Sequence, residues 1–309
     1  MNEPTRIAAI DIGSDTIHLL VGSVDGTGDD SVVTRVEQRG ELIELGRRVA
    51  QKGRVSDRAA AALTKLVVAY VAVGRKRAGH VVIGATEALR LASNGPELVE
   101  QLARKAGEPV RVLTGTREAE LGFSGAIHRL STSGSQLLID SGGASTELTL
   151  TEGRTPVASV SLPVGAAALG ASLRGDPPNA LSWALAGTQI GRALAVAPEG
   201  KPVRAWATGG SAHNLAGLER TRGRSGKQEL TLEDLRDLAA DLLSLPSSKL
   251  AKHSAEDPRR VAILPPGLLI IASVLTHYGL DRVTVVPEGL REGMILAVAK
   301  LGDDWWCDN

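Results

Sequence analysis

Two short segments, far apart in the chain, carry one pattern: an apolar strand, an aspartate, a glycine-containing turn with hydroxyl side chains, and a second strand. They are residues 7–20, with Asp11, Gly13 and Ser14, and residues 137–150, with Asp140, Gly142, Gly143, Ala144, Ser145 and Glu147. A glycine-rich turn can direct backbone N–H groups into a concavity that binds phosphate oxygens, and hydroxyl groups add donors. An aspartate at a strand end can hold Mg²⁺. The repeat therefore predicts a duplicated domain that clamps a phosphate chain between its copies, with the metal offsetting the charge.

The elements that must position these segments are strands interleaved with helices. Strands are predicted at 6–12, 16–24, 32–39, 80–84, 110–113, 136–140, 145–151, 157–163, 203–207 and 282–286. Helices are predicted at 56–77, 94–105, 116–130, 180–194, 213–218, 231–243, 266–278 and 290–301, with Ser56, Thr116 and Thr231 as caps. This alternation predicts an α/β protein with a partly parallel sheet.

The strand pattern restarts near residue 136, so the chain is expected to form two lobes. We place the first lobe at 1–123 and the second at 124–309, with the alternative that the last segment, about 290–309, packs back on the first lobe.

Composition excludes several classes of protein. Hydrophobic residues make up 43% of the 309 residues, enough for real cores, but aromatic residues only 2%. Lys and Arg total 35, as do Asp and Glu, and this balance argues against a general nucleic-acid-binding surface. The single cysteine, Cys307, excludes an intrachain disulfide. No signal-peptide pattern is present, and the apolar run 267–275 is too short to span a membrane, so a cytoplasmic protein is expected.

Further segments narrow the choice. The double hairpin resembles the superfamily of actin, sugar kinases and Hsp70, whose lobes are duplicated ribonuclease-H-like units. Six segments, in order, are similar to motifs of the Ppx/GppA phosphatase family: residues 45–56, 84–94, 114–119, 162–166, 207–212 and 288–293. The resemblance implies two ribonuclease-H-like (actin-like ATPase) domains with an interdomain cleft, in the short two-domain form, and a homodimer. Members of this family hydrolyse inorganic polyphosphate from its ends or remove the 5′ γ-phosphate of guanosine pentaphosphate.

The resemblance also implies a role for each matching residue. Glu118 matches the catalytic glutamate, and a carboxylate there can orient and deprotonate the attacking water. Asp140, Asp11 and Glu147 would hold or orient Mg²⁺. The phosphate-binding residues would be Arg90 together with Gly13, Ser14, Gly142, Gly143, Ala144, Ser145, Gly210 and Ser211. Arg291 and Glu292 are interpreted as structural, in an ion pair or a helix cap.

Each of these residues also has a plainer interpretation. Glu118 would favour the N-terminus of its helix without any chemistry. The two aspartates would bond their own turns, Glu147 would be a solvated carboxylate, and Arg90 a surface residue. His213 is expected to be a packing or capping residue, and the two tryptophans at 305–306 could anchor the tail or a dimer contact.

Four positions depart from the family pattern. They are Asp15 in the first turn, Ala144 in the second, Glu120 two residues after the catalytic glutamate, and Ala167-Ala168. Each change removes positive charge or room from a site for a polyanion.

The leading hypothesis is an exopolyphosphatase that needs Mg²⁺ and favours short chains. The second keeps the chemistry and changes the substrate to guanosine pentaphosphate. The third is a non-catalytic protein that binds polyphosphate or guanosine tetraphosphate, motivated by the departures at Asp15, Ala144 and Glu120. A sugar kinase is disfavoured because no adenosine site or sugar-binding insertion can be located.

Overall fold

The chain forms two compact units. A computed structural model describes residues 5–26, 30–221, 228–254 and 258–308. Unit 1 is Met1–Arg129 together with Glu288–Asn309, and unit 2 is Leu130–Pro287. Where the sequence placed the boundary between 123 and 124, the structure has the chain leave unit 1 after Arg129 and return to it at Glu288.

The strands and helices follow the order expected from the sequence. The strands are β1 Arg6–Ile12, β2 Thr16–Asp25, β3 Val32–Leu42, β4 His80–Ala85, β5 Val110–Val112, β6 Ser135–Ser141, β7 Thr146–Glu152, β8 Thr155–Leu162, β9 Arg204–Thr208, β10 Glu229–Thr231 and β11 Arg282–Val285. The helices are α1 Leu45–Lys52, α2 Asp57–Arg77, α3 Glu87–Leu91, α4 Gly95–Ala106, α5 Gly115–Ala126, α6 Ala166–Gly170, α7 Ala180–Ala193, α8 Gly209–Thr221, α9 Leu232–Ser244, α10 Ser247–Ser254, α11 Pro258–Ala262, α12 Leu264–Tyr278 and α13 Leu290–Leu301.

The two units contain the same sheet. In unit 1 the strand order is β3-β2-β1-β4-β5, and in unit 2 it is β8-β7-β6-β9-β11 with β10 added at the edge. In each, the first three strands are antiparallel neighbours and the next two run parallel to the central one. The predicted duplication of a ribonuclease-H-like domain is confirmed.

Strand β1 is buried on both faces, which is why it reads as an almost continuous apolar run. Ala8 and Ile10 lie in one cluster of buried side chains with α2 and α4. Ile7 and Ala9 lie in another with residues of α5 and α13. Since side chains alternate along a strand, Asp11 shares a face with Ile7 and Ala9, on the side of α5 and α13.

Unit 2 has one main apolar face. Leu137 and Ile139 of β6 pack in a large cluster with α7, α8, α9 and the apolar helix α12. Strand alternation places Asp140 on the opposite face. That face of β7 is polar yet buried, with Glu147, Thr149 and Thr151.

Helix α13 packs against α5 within unit 1 at very short range. A Cβ placed on Gly293 would lie 1.8 Å from the Leu121 carbonyl oxygen, and one on Gly125 would lie 2.0 Å from that of Gly289. Glycine at both positions lets the two backbones approach, and this contact fixes the helix that carries Glu118.

The starts of α5 and α8 differ from the sequence prediction. Thr114, not Thr116, caps α5, because its extended backbone lets its hydroxyl accept a hydrogen bond from the Arg117 N–H at 3.0 Å. Helix α8 begins at Gly209, directly after β9, and not at His213. The short elements α1, α3, α6, α10, α11 and β10 were not predicted.

Among the described residues, no helix combines the length and the apolar composition that crossing a membrane requires.

Candidate functional site

The two hairpin turns have the same hydrogen bond. The Gly13 N–H donates to the Thr16 carbonyl at 3.0 Å, and the Gly142 N–H donates to the Ser145 carbonyl at 3.1 Å. These two N–H groups close their turns, and contact of Gly13 and Gly142 with phosphate stays a prediction. In unit 2, no main-chain carbonyl of the described residues accepts from the N–H of Gly143 or Ala144, and these two donors remain for an anion.

The strand register places equivalent side chains in a row across each sheet. In unit 1, Asp11 lies opposite His18, which lies opposite Gly40. In unit 2, Asp140 lies opposite Glu147, which in turn lies opposite Ser161. Side chains directly opposite on antiparallel strands are close neighbours on one face. The second copy therefore brings two carboxylates together, whereas the first pairs a carboxylate with an imidazole.

Glu147 is a buried carboxylate with a defined partner. Its side chain is 4% exposed, and the Ser161 hydroxyl donates to its Oε1 at 2.7 Å. The interpretation of Glu147 as a solvated carboxylate is therefore wrong. A buried carboxylate that is hydrogen-bonded and beside a second carboxylate is suited to a cation.

In unit 1, Arg90 joins two carboxylates. Its Nη1 lies 3.5 Å from Oε2 of Glu118 and donates to the Leu113 carbonyl at 2.5 Å. Its Nη2 donates to Oε2 of Glu87. The Arg90 side chain is only 24% exposed, and each of the two glutamates 13%. Arg90 is thus not a free surface residue, and the structure places it beside Glu118, while its binding of phosphate stays a prediction.

Glu118 lies in the first turn of α5, where the helix dipole favours a negative charge. Its helix is capped by Thr114, whose hydroxyl also donates to Asp308 at 2.6 Å. The buried Arg117 guanidinium donates to the Trp305 carbonyl at 3.1 and 2.6 Å and to Glu120 at 2.8 Å. Glu120 therefore accepts a hydrogen bond from Arg117. The contacts with Trp305 and Asp308 hold the first turn of α5 against the last residues of the chain.

In unit 2, Asp140 lies against the first turn of α8. Gly209 has a φ of +86°, and a Cβ there would lie 2.6 Å from Oδ1 of Asp140, so this position requires glycine. Gly210 is exposed, with open space where a side chain would be. The N-terminus of α8 thus presents backbone N–H groups beside Asp140, an arrangement that favours anions.

The Ser211 side chain lies against α12. A Cβ on Gly267 of α12 would lie 2.7 Å from the Ser211 Oγ, so the side chain packs on that helix. Its contact with phosphate stays a prediction. The Nδ1 of His213 lies 2.7 Å from the Gly209 carbonyl oxygen inside α8, in keeping with the expected packing or capping role.

The turn after β6 is supported by the segment that follows β8. The N–H groups of Ala167 and Ala168 donate to the Gly143 carbonyl at 2.7 and 2.9 Å. A Cβ on Gly165 would lie 2.4 Å from the Ala144 backbone. Ala144 does not adopt a positive φ, so its methyl group is compatible with the conformation of the turn.

The first turn is supported in a similar way. The Asp15 carbonyl accepts from the N–H groups of Ile43 and Glu44 at 2.7 and 3.1 Å, and the Ser14 carbonyl accepts from that of Gly46 at 2.8 Å. The segment with the predicted 45–56 motif therefore holds the turn that begins after Asp11.

The predicted structural role of Glu292 is confirmed. Its carboxylate accepts from the Gly289 N–H at 3.0 Å and pairs with Arg35 at 2.7 Å. Nearby, Glu288 accepts two hydrogen bonds from Arg129, at 3.0 and 2.7 Å. Burial would raise the pKa of the Glu288 carboxyl, but the hydrogen bond and charge of Arg129 outweigh it and lower this pKa. The same pair raises the pKa of Arg129.

The carboxylate pair in unit 2 suits Mg²⁺ in part. Mg²⁺ is held by one or two carboxylates and completes its shell with waters and phosphate oxygens, so Asp140 and Glu147 could supply the protein ligands. Within the described ranges, no group of three or more acidic, histidine or cysteine side chains is arranged to hold a metal alone. That Asp11 joins them stays a prediction.

Sequence reasoning missed four residues of these two sites: Glu87, His18, Ser161 and Gly209. Glu87 lies inside the 84–94 motif three residues before Arg90, a spacing at which helical side chains meet. His18 and Ser161 could have been found by pairing the predicted strands around Asp11 and Asp140. Gly209 required knowing that the helix begins directly after β9.

Two named proteins are similar to this chain in sequence. Exopolyphosphatase 1 of Mycobacterium leprae is 26% identical over 303 residues, which cover 94% of this chain and 88% of that protein. The guanosine-5′-triphosphate,3′-diphosphate pyrophosphatase of Aeromonas hydrophila is 26% identical over 100% of this chain, which spans 62% of that longer protein.

Solved structures share the fold. The crystal structure of the Aquifex aeolicus member of the Ppx/GppA family matches with a TM-score of 0.78 and 25% identity, over 96% of this chain and 99% of that one. The sequence model of the Ppx/GppA phosphatase family matches residues 23–301. With two ribonuclease-H-like sheets and a family match along nearly its whole length, this chain belongs to the Ppx/GppA phosphatase family.

Proposed function

We propose that this protein is an exopolyphosphatase that releases the terminal phosphate of inorganic polyphosphate, with short chains as its better substrates. Water attacks the terminal phosphorus, and the phosphoanhydride bond to the next phosphate breaks. Glu118 orients the water and accepts its proton, and the shortened chain leaves. Two named relatives, an exopolyphosphatase and a guanosine pentaphosphate hydrolase, support this reaction class.

The observation that carries the proposal is the placement of Glu118 beside Arg90 within unit 1. The two side chains are 3.5 Å apart and largely buried. A guanidinium can bind phosphate oxygens, so a terminal phosphate held by Arg90 would lie within reach of a water held by Glu118.

The remaining residues stabilise charge in this proposal. Mg²⁺, when bound at Asp140 and Glu147, would offset the charge on the phosphate chain. The N–H groups of Gly143 and Ala144 and the first turn of α8 would bind phosphate oxygens. The proposal requires that these groups of unit 2 and Glu118 act on one substrate.

The test is phosphate release from short polyphosphate with Mg²⁺. Glu118→Gln should lower kcat by about 10²- to 10⁴-fold, the contribution of a general base, with folding unchanged. Glu233→Gln is the control, because Glu233 also lies in the first turn of a helix, α9, and should leave turnover unchanged. No release by the wild type, or full release by Glu118→Gln, would contradict the proposal.

The guanosine pentaphosphate hydrolase relative favours a second candidate function, in which the same residues remove a phosphate from that nucleotide. Turnover of the two substrates, measured side by side at equal concentration, decides between them. Tight binding of both without turnover would instead support a non-catalytic binding protein.

A further inference from the structure

The guanidinium of Arg90 is already bound by a carboxylate that the proposed reaction does not use. Glu87 contacts Nη2 of Arg90 at a shorter distance than the 3.5 Å that separates Nη1 from Glu118. Both glutamates are equally buried, each 13% exposed. Of the two, Glu87 is therefore the stronger partner of Arg90.

The contact between Glu87 and Arg90 lies within one short helix, α3, which is hydrogen-bonded to the sheet. Glu87 and Arg90 are three residues apart on α3, a spacing at which helical side chains meet. The Arg90 N–H donates to the Thr86 carbonyl at 3.2 Å, and the Thr86 N–H donates to the Ile12 carbonyl at 3.2 Å. The helix that carries the pair is thus fixed to the strand that ends beside Asp11.

The charges around Arg90 oppose a second anion. Two carboxylates, those of Glu87 and Glu118, face the one guanidinium of Arg90, so a phosphate that approaches Arg90 meets two negative charges. Like charges held close together in a partly buried place repel strongly. An incoming phosphate must therefore replace a carboxylate at Arg90, not merely join it.

We propose that Glu87 competes with phosphate for Arg90 and so lowers the affinity of the site for anionic substrate. This inference rests on the proposed function, in which Arg90 binds the terminal phosphate. The Leu113 carbonyl keeps its contact with Nη1 at 2.5 Å while Nη2 exchanges Glu87 for a phosphate oxygen. Glu87 is a specificity-determining residue: it makes the site reject weakly bound anions, including the phosphate product.

The experiment measures the dissociation constant of inorganic phosphate by calorimetry, together with the KM for tripolyphosphate. Glu87→Gln keeps the size of the side chain and removes its charge. We expect both quantities to fall by about two- to fivefold, the range for loss of one partly exposed ion pair. Glu87→Ala should shift both in the same direction.

Two further variants isolate the mechanism. Glu100→Gln is the matched control, because Glu100 contacts Arg104 at 3.4 Å on the exposed face of α4, and both quantities should stay unchanged. Glu87→Gln combined with Arg90→Ala should show no gain over Arg90→Ala alone. An unchanged or weaker phosphate affinity in Glu87→Gln, or a gain that persists without Arg90, overturns the inference.

Failure of the proposed function gives a different result. If the wild type releases no phosphate from any polyphosphate, the enzymatic proposal is wrong, but the calorimetric comparison still measures competition between Glu87 and phosphate for Arg90.

Discussion

Asp11 and Asp140 occupy the same position in two copies of one hairpin, but their neighbours differ. Across the strand, Asp11 has His18, whose Nε2 lies 2.8 Å from the Thr16 hydroxyl. Asp140 has Glu147. A second carboxylate suits a hard cation, whereas an imidazole does not. The two hairpins therefore share one backbone geometry. They differ in the side chain opposite the aspartate, which is an imidazole in the first copy and a carboxylate in the second.

The hydroxyl of Ser161 positions Glu147, and this can be tested. Ser161→Ala removes the 2.7 Å hydrogen bond to Oε1 and frees the carboxylate to rotate. Groups that orient a metal ligand commonly contribute 10- to 100-fold in metal affinity. We therefore expect the Mg²⁺ concentration for half-maximal phosphate release to rise by about tenfold.

Ser159→Ala is the control for that change. Ser159 lies two residues earlier on the same face of β8, and its hydroxyl donates to Thr149 at 3.0 Å, not to a carboxylate. Its loss should leave the Mg²⁺ dependence unchanged. An equal shift in both variants would mean that β8 acts only as a structural support.

At the scale of elements, the strands were predictable and the short helices were not. All ten predicted strands formed, each within three residues of its predicted ends, because burial of one or both faces leaves a clear apolar pattern. Helices such as α3 and α6 have only five residues, too few for a period to show. Their positions depend on contacts with the turns that they support.

The predicted starts of some helices were wrong because they, too, depend on tertiary contacts. Thr114 and Thr116 are both good caps, and the choice depends on where β5 ends, which is a tertiary fact. The contact between Glu87 and Arg90 was hidden in the same way, since α3 was not predicted as a helix. The family motif marked the segment, but the paired side chains appeared only with the structure.

The crossing of α5 and α13 depends on glycine, and Gly293→Ala tests it. The new methyl group would meet the Leu121 backbone, which cannot yield as a flexible side chain would. Overpacking of this kind typically costs about 1–3 kcal/mol or more. We expect the free energy of unfolding to fall by at least that amount, with loss of activity, because α5 carries Glu118.

Gly191→Ala is the matched control, measured by the same urea titration. Gly191 lies in α7, and a Cβ there meets nothing within 4 Å. Alanine in an open helix site should stabilise the protein by about 0.5–1 kcal/mol. A small effect of Gly293→Ala would show that the two helices can separate without cost.

At the scale of the whole molecule, Trp305 and Trp306, near the end of the chain, pack against unit 1. Trp305 is buried with Leu113 and Leu121, and the Arg111 guanidinium lies 4.6 Å from the Trp306 ring centroid. In a chain with only 2% aromatic residues, this pair anchors the tail within its own unit. The sequence alone left open whether the two tryptophans anchor the tail or form a dimer contact.

Within unit 1, Arg129 and Glu288 form an ion pair. The chain leaves unit 1 after Arg129 and returns at Glu288, and these two residues form two hydrogen bonds. Because Arg129 lowers the pKa of Glu288 below its ordinary value of 4.5, the pair stabilises the folded state above that value. The stabilisation is lost as the pH falls through the lowered pKa.

Glu288→Gln should therefore be less stable than the wild type at neutral pH, and the difference should shrink as the pH falls below about 4.5. The urea midpoint, measured at several pH values, reports both effects. Asp281→Asn is the control, because Arg282 also lowers the pKa of Asp281, but that pair is fully exposed and solvent screens it. If the two variants show the same pH dependence, the Arg129–Glu288 pair contributes no more than a surface contact.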